Sequence, residues 1–314
     1  MNRNTKISKE LRNVEALIKR DFSKENTISG LYKYIFKSNG KKIRAKLCLT
    51  TSSRTKNKEK IKLASVIELL HTATLIHDDV VDESPTRRGI RSVNNVWTNA
   101  HGVLIGDYIY SKAFIYLVDI GNKKILKELA STTNDIAQGE LVQLDAINNV
   151  NITLNKLKKI SYFKTGRLFE AAAKTGAIIA NENKAFNYNV SECAKNLGIL
   201  FQIIDDLLDY SDSKKIGKPV FQDIKEGKVT YPFFYAYKNA NTREKKRLKD
   251  LLGVSRDLKS KDLELIKSLE GIKKTKQLAE KYHIKAIEYA KKIKNLDIRK
   301  EMIELADTAL NRDK

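Results

Sequence analysis

Residues 58–83, KEKIKLASVIELLHTATLIHDDVVDE, are apolar on nearly every side of a helical projection until the last few positions. A helix of that kind is buried all round, as at the centre of a helical bundle. It ends in Asp78, Asp79, Asp82 and Glu83, and Pro85 stands just beyond as the expected stop signal. Arg87 and Arg88 follow at once. A greasy helix that closes in a knot of carboxylates beside two arginines is the feature to be explained.

A second stretch repeats the pattern. Residues 191–212, SECAKNLGILFQIIDDLLDYSD, run apolar and then finish in Asp205, Asp206 and Asp209. Further helical spacing is read over residues 1–36 (Leu11, Val14, Leu17 and Ile18 on one face), 103–118, 123–144 and 154–180, and in a lysine-rich tail after Pro232. Only 3 prolines and 14 glycines punctuate the 314 residues, too few for a turn-rich β protein. The expectation is an all-α chain, a single-domain helical bundle covering residues 1–314.

The formal charge is +22, a balance that often marks nucleic-acid binding. Here the lysines lie along amphipathic helices, and no aromatic side chains interleave with them as a stacking platform needs. A solvated lysine surface is the simpler reading, with no nucleic-acid partner. Cys48 and Cys193 make no metal or redox spacing, which fits a reducing, cytoplasmic setting. The N-terminal residues lack the apolar core of a signal peptide, and no apolar run is long enough to span a membrane.

On a helix, positions i and i+4 share a face. Asp78 thus pairs with Asp82, and Asp205 with Asp209, while Asp79 and Asp206 point elsewhere. Carboxylates at the end of a buried helix repel one another and resist desolvation. A hard divalent cation answers both difficulties. Mg²⁺ takes one or two carboxylates, keeps some water and completes its shell with phosphate oxygens. Two Asp-x-x-x-Asp pairs are therefore expected to hold several Mg²⁺ ions around a polyphosphate.

The basic residues extend that theme. Arg87 and Arg88 offer planar forks suited to diphosphate. Lys41, Lys42 and Arg44 stand at an Asn39-Gly40 turn before a helix, where backbone N–H groups also meet anions. Residues 162–166, YFKTG, add Lys164 and Thr165, and residues 217–232 add Lys218 and Lys228 around Asp223.

The strings HTATLIHDDVVDESPTRRG, FQIIDDLLD, NGKKIR, KTG and GK…D…EGKVTYP together resemble the trans-prenyl diphosphate synthases, over about Asn39 to Pro232. The first motif looks most like the long-chain, octaprenyl-type branch. The resemblance implies an all-α bundle with a deep central cavity, homodimeric, that joins isopentenyl diphosphate head-to-tail to an allylic diphosphate such as farnesyl diphosphate. It implies Mg²⁺ on Asp78, Asp82 and Asp205, with Asp79, Asp206 and Asp209 less direct. It places Lys41, Arg44, His71 and Arg88 around isopentenyl diphosphate, and Arg87, Lys164, Thr165, Gln202 and Lys218 around the allylic diphosphate. Asp78, Asp82, Arg87, Lys164 and Asp205 would carry the chemistry. His77 is read as structural. Two departures stand out: Asn39 and Lys42 in a loop that is usually Gly-Gly-Lys-Arg, and Phe221 where the family often has Gly.

Such chemistry needs charge neutralisation to release pyrophosphate, and a dry pocket for the allylic cation. No protein nucleophile is required. Ala73 and Thr74 lie about one turn before Asp78, where short-chain members of the family carry aromatic rings. Small side chains there leave room for a growing tail, so products of roughly C35–C45, about C40 as the central value, are expected. Val66 and Leu70 would continue the wall, and Tyr110 and Phe114 would form a floor. Use in quinone side chains, and peripheral membrane contact to release the apolar product, are further implications. A shorter, geranylgeranyl-type product is the alternative. Two other readings are a di-iron bundle built on Glu68-x-x-His71 and Glu280-x-x-His283, and a basic helical protein for RNA or membranes.

Overall fold

A computed structural model describes residues 3–20, 23–37, 40–53, 55–210, 221–254 and 260–312. Helices dominate, in the order α1 (Arg3–Arg20), α2 (Asn26–Ile35), α3 (Ile43–Thr51) and α4 (Asn57–Val81). A two-stranded hairpin follows, β1 (Thr86–Arg87) and β2 (Ile90–Arg91), and then α5 (Val93–Val96), α6 (Asn99–Ile120), α7 (Lys123–Leu144) and α8 (Leu154–Ser161). A π-helical turn over Tyr162–Gly166 leads into α9 (Arg167–Ile179), followed by α10 (Lys184–Leu208), α11 (Gln222–Lys225), α12 (Tyr231–Asn239), α13 (Thr242–Lys249), α14 (Ser260–Ser268), α15 (Gly271–Lys291) and α16 (Leu296–Leu310). The chain groups into two compact units. One holds residues 1–133 and 171–190, the other 134–170 and 191–314.

The first unit is organised on α4. Leu63, Val66, Ile67, Leu69, Leu70 and Ala73 are fully buried, as a helix without a polar face must be. Its closest neighbour is α6. A Cβ added at Gly102 would lie 2.6 Å from Val80 Cγ2, and one at Gly106 would lie 2.2 Å from His77 Nε2. The Gly102-x-x-x-Gly106 spacing therefore lets the two backbones approach as no other residue would allow. His77 Nε2 sits 3.2 Å from the Val103 carbonyl and 3.3 Å from Asp107, the structural role expected of it. On another face α1 packs against α4, where the buried pair Lys60 Nζ–Glu10 Oε1 closes at 2.7 Å.

Helix α4 ends at Val81, before Pro85 is reached. Asp82 caps it, its N–H bonded to the Asp78 carbonyl at 2.8 Å, and Glu83 turns the chain with φ 49°. This corrects the stop signal: Pro85 opens the hairpin, its carbonyl accepting the Ser92 N–H at 3.1 Å. Arg88 and Gly89 occupy the hairpin turn with φ 53° and 79°, the two positive values a tight primed turn demands.

In the second unit α12, α15 and α16 pack together around Phe233, Ala286, Ala290 and Met302. The π-helical turn meets α10 at close quarters, where a Cβ on Gly198 would lie 2.7 Å from Gly166 Cα. Such turns inside a helix cost hydrogen-bond quality and occur mostly at functional sites. Among the described residues no helix is long and apolar enough to cross a membrane.

Candidate active site

In the first unit the NGKK loop, α4 and the hairpin converge. The Arg88 guanidinium lies against Gly40, where a Cβ would come within 2.6 Å of it. Arg44 Nη1 lies 3.0 Å from His71 Nε2. Of the predicted residues, Arg87 and Arg88 line one cavity of about 80 Å³ whose wall also carries Lys42, Arg91, Glu68 and Asp79; Arg44 and His71 do not line it. Lys41 is exposed and does not line it; Lys42 does, and it ion-pairs with Glu15. Lys42 enters α3 in a left-handed conformation (φ 49°), so the loop reaches the geometry usual for glycine with a lysine. Asn39 lies outside the described residues.

The first aspartate cluster divides its work. Asp79 is buried and accepts the Arg87 Nε–H at 2.8 Å. Burial opposes the charge on Arg87, and the hydrogen bond and charge of Asp79, with Asp78 and Asp82 adding theirs, raise its pKa overall. Asp78 and Asp82 are half-buried, one turn apart.

The second unit holds the second cluster. Asp206 is buried, accepting from Gln202 Nε2 at 2.9 Å and from the Tyr231 N–H at 3.4 Å, and its pKa is pushed well up by burial and then by Asp223. Gln202 in turn accepts from the Thr165 hydroxyl at 2.6 Å, so both predicted residues belong to one chain of hydrogen bonds. Asp209 caps α11, accepting the Gln222 and Asp223 N–H groups at 2.9 and 3.2 Å. Burial and then Asp223 push it up to about 8. Asp205 meets Arg312 Nη1 at 2.6 Å.

Lys164 projects from the π-helical turn to Gln143 and to Glu140, 2.6 Å away. Glu140, Gln143 and Arg312 were not singled out from the sequence. The Gly-Glu-x-x-Gln spacing and a terminal arginine gave signals too weak to read alone. Phe221 adopts φ 59° at the start of α11 and is buried edge-on against Tyr210 at 5.7 Å. A left-handed backbone explains why glycine suits this position, and ring burial offsets the roughly 1–2 kcal/mol of strain. Lys228 pairs with Glu226 at 2.6 Å. Lys218 lies outside the described residues.

Ala73 is fully buried and Thr74 half-buried, its hydroxyl donating to the His71 carbonyl at 2.8 Å. Neither lines the cavity. The Tyr110 and Phe114 rings meet on α6 at 5.4 Å between centres, tilted by 40°. Cys48 and Cys193 are fully buried, and burial pushes the Cys193 thiol up to about 12 and Cys48 higher still, so neither is a nucleophile. The di-iron reading fails on its parts. His283 pairs with Asp307 at 2.7 Å, Glu280 is exposed, and among the described residues no three acidic, histidine or cysteine side chains converge as a cation cage.

Aspartate-rich helix ends and a basic cavity suit the handling of diphosphates, and comparison with known proteins settles the family. The polyprenyl synthetase family matches residues 25–269, and the chain belongs to it. It is 39% identical over 224 residues to the octaprenyl diphosphate synthase of Escherichia coli K12, covering 70% of this chain and 69% of that one. Similarity to the all-trans-nonaprenyl-diphosphate synthase (geranyl-diphosphate specific) of Rhodobacter capsulatus is 40% over 227 residues, covering 71% and 70%. The crystal structure of a decaprenyl diphosphate synthase from Rhodobacter capsulatus superposes with TM-score 0.91 at 31% identity over 99% and 98% of the two chains. A polyprenyl synthase from Caulobacter crescentus CB15, complexed with calcium and isoprenyl diphosphate, also gives 0.91, at 32% identity over 98% and 96%. The protein is a chain-elongating trans-prenyltransferase of isoprenoid biosynthesis.

Proposed function

We propose that this enzyme extends an allylic diphosphate, such as farnesyl diphosphate, by repeated head-to-tail addition of isopentenyl diphosphate to an all-trans product of about C40, drawing on the small residues at 73 and 74. The observation that carries the reading is a basic cavity lined by Gly40, Lys42, Arg87, Arg88 and Arg91 together with Asp79, at the helix end bearing Asp78 and Asp82. Lys41, Arg44, His71 and Arg88 are assigned to isopentenyl diphosphate. Arg87, Lys164, Thr165, Gln202 and Lys218 serve the allylic diphosphate.

The donor set fits Mg²⁺. Asp79, Asp206 and Asp209 accept hydrogen bonds from the protein's own donors, and Asp78, Asp82 and Asp205 are the ligands assigned from their place in the two aspartate motifs. Asp205 already takes a cation, the guanidinium of Arg312, as a stand-in. With no cage of three acids among the described residues, the ion must complete its shell from diphosphate oxygens, as Mg²⁺ commonly does. When bound it supplies neutralisation of the leaving diphosphate. The Caulobacter relative, crystallised with calcium and isoprenyl diphosphate, supports a divalent ion here.

Exposed Leu104, Ile115 and Val118 share a face of α6, which supports burial against a second copy in a homodimer. The enzyme acts in the cytoplasm, touching membranes where the apolar tail leaves, and the product serves quinone side chains. Incubation with farnesyl diphosphate, labelled isopentenyl diphosphate and Mg²⁺, followed by product sizing, tests the reading. Products near C40 support it; arrest at C15 or C20 overturns the chain length, and no incorporation overturns the reaction.

A further inference from the structure

Two helices of the second unit press on the π-helical turn, each through a glycine. A Cβ on Gly139 of α7 would lie 2.7 Å from Phe163 Cβ and 3.1 Å from the Lys164 nitrogen, and one on Gly198 of α10 would lie 2.7 Å from Gly166 Cα. Each helix also grips one side chain of the turn. From α10, Gln202 accepts the Thr165 hydroxyl at 2.6 Å. From α7, Glu140 and Gln143 share a face at a spacing of three. Both reach the Lys164 ammonium, Glu140 with Oε2 at 2.6 Å and Gln143 with Oε1. Arg167, which opens α9, donates from Nε to Asp135 of α7 at 2.7 Å. The chain leaving the turn is thus tied to the same helix.

We infer that Glu140 and Gln143 are positioning residues, a cradle of two acceptors on α7 that fixes the Lys164 ammonium for the allylic diphosphate. The inference rests on the reading of Lys164 as a ligand of that diphosphate. An ammonium has three N–H donors and no acceptor. Among the described residues the cradle takes two of them, and the third is left for a diphosphate oxygen. The lysine side chain is 17% exposed, so a ligand can still reach it. Lysine otherwise carries its charge on a flexible four-carbon stem, and ordering that stem beforehand favours binding. One carboxylate and one amide hold the ammonium with a single negative charge, where a second carboxylate would repel the diphosphate. Gly139 makes the cradle possible, because only a glycine lets α7 lie close enough to the turn for residues 140 and 143 to reach Lys164.

Glu140→Leu and Glu140→Gln carry the same charge and differ in whether an acceptor remains, so the pair reports on the cradle alone. Glu140→Leu should show a KM for the allylic substrate about fivefold above that of Glu140→Gln, with KM for isopentenyl diphosphate little changed. Gln143→Leu should repeat the effect, again at constant charge. In a Lys164→Ala background the difference between the two Glu140 variants should vanish. Equal KM values for that pair, or a difference that survives the loss of Lys164, would overturn the cradle. Calorimetric titration with inorganic pyrophosphate and Mg²⁺ makes the same comparison without turnover, and Glu140→Leu should bind more weakly by a similar factor. Absence of prenyl transfer in the unmodified enzyme would strike the functional reading, and the pyrophosphate titrations would still decide the cradle. If Lys164→Ala leaves pyrophosphate binding unmoved, Lys164 is no diphosphate ligand and the cradle falls with it.

Discussion

Arg312 donates from Nη1 to Asp205 Oδ1 at 2.6 Å while its guanidinium lies 4.3 Å from the centre of the Phe201 ring. The arginine is 16% exposed and the aspartate 39%, so the pair is partly screened. Cation–π contact with Phe201 holds the guanidinium over the carboxylate that is proposed to bind a divalent ion. A metal arriving at Asp205 must compete with it. Arg312→Gln should therefore tighten binding of Mn²⁺, followed by electron paramagnetic resonance without substrate, by up to about fivefold, the equivalent of an ion pair worth roughly 1 kcal/mol. Unchanged or weaker binding would show that Arg312 does not compete.

The Glu10–Lys60 pair makes the opposite kind of test, one of stability. Their side chains are 7% and 1% exposed, bridging α1 and α4. Removing one member leaves the other charged and buried, at a cost of about 3–5 kcal/mol. Glu10→Ala should lower the urea midpoint accordingly. Replacing both together, Glu10→Leu with Lys60→Met, should come close to neutral, because desolvation of the charges is removed along with their attraction. A double variant as unstable as the single one would contradict this.

His71 predicts a pH dependence. Its folded pKa lies well below the ordinary 6.5, through burial and then Arg44, Arg88 and Arg87. As pH falls through 6.5 the unfolded chain takes up a proton that the folded chain refuses, so the unfolded state binds more protons and stability falls. Above 6.5 the contribution is fully present. The groups facing the ring are Arg44 from α3, Arg87 and Arg88 from the hairpin, and Glu68 on the same helix. Burial raises the pKa of Glu68, whose effect runs the other way, with stability lost as pH rises above 4.5. Between pH 7.5 and 5.5 the unmodified protein should lose stability relative to His71→Gln, by at most about 1.4 kcal/mol per pH unit below 6.5. Parallel denaturation curves for the two proteins across that range would contradict it.

Much of this was legible in advance because it rests on local patterns. An apolar run such as residues 61–76 must be buried, and the i, i+4 spacing of Asp78 and Asp82 follows from helix geometry. The hairpin was missed because a helix-stop reading of Pro85 absorbed the signal of Arg88-Gly89, which flanking Thr and Ile mark as a two-residue turn. The division of labour among the aspartates was visible only as a difference of helix face. That Asp79 serves Arg87, and Asp209 the start of α11, depends on chain returning from elsewhere. Arg312 stands 107 positions from its partner Asp205, and no local pattern links them. The left-handed backbone at Phe221 was legible only as an unexplained departure from glycine.

Register between α4 and α6 gives the last prediction its physical basis. Val80 meets Gly102 and His77 meets Gly106, so the helices run antiparallel, and one further turn brings Ala73 level with Ile109 and Tyr110. With only a methyl side chain at 73, an aromatic residue there would press toward the Ile109–Tyr110 turn of α6. Ala73→Tyr should therefore shorten the product by several isoprene units, read by chromatography of the dephosphorylated chains. Because Ala73 is fully buried, overpacking of about 1–3 kcal/mol accompanies the change. Thr74→Phe, at a half-buried neighbour, tests the same wall with less strain. Tyr110→Ala should act in reverse and lengthen the chains. If all three variants fold and their products match those of the unmodified enzyme, chain length is set elsewhere, and the small residues before Asp78 are packing alone.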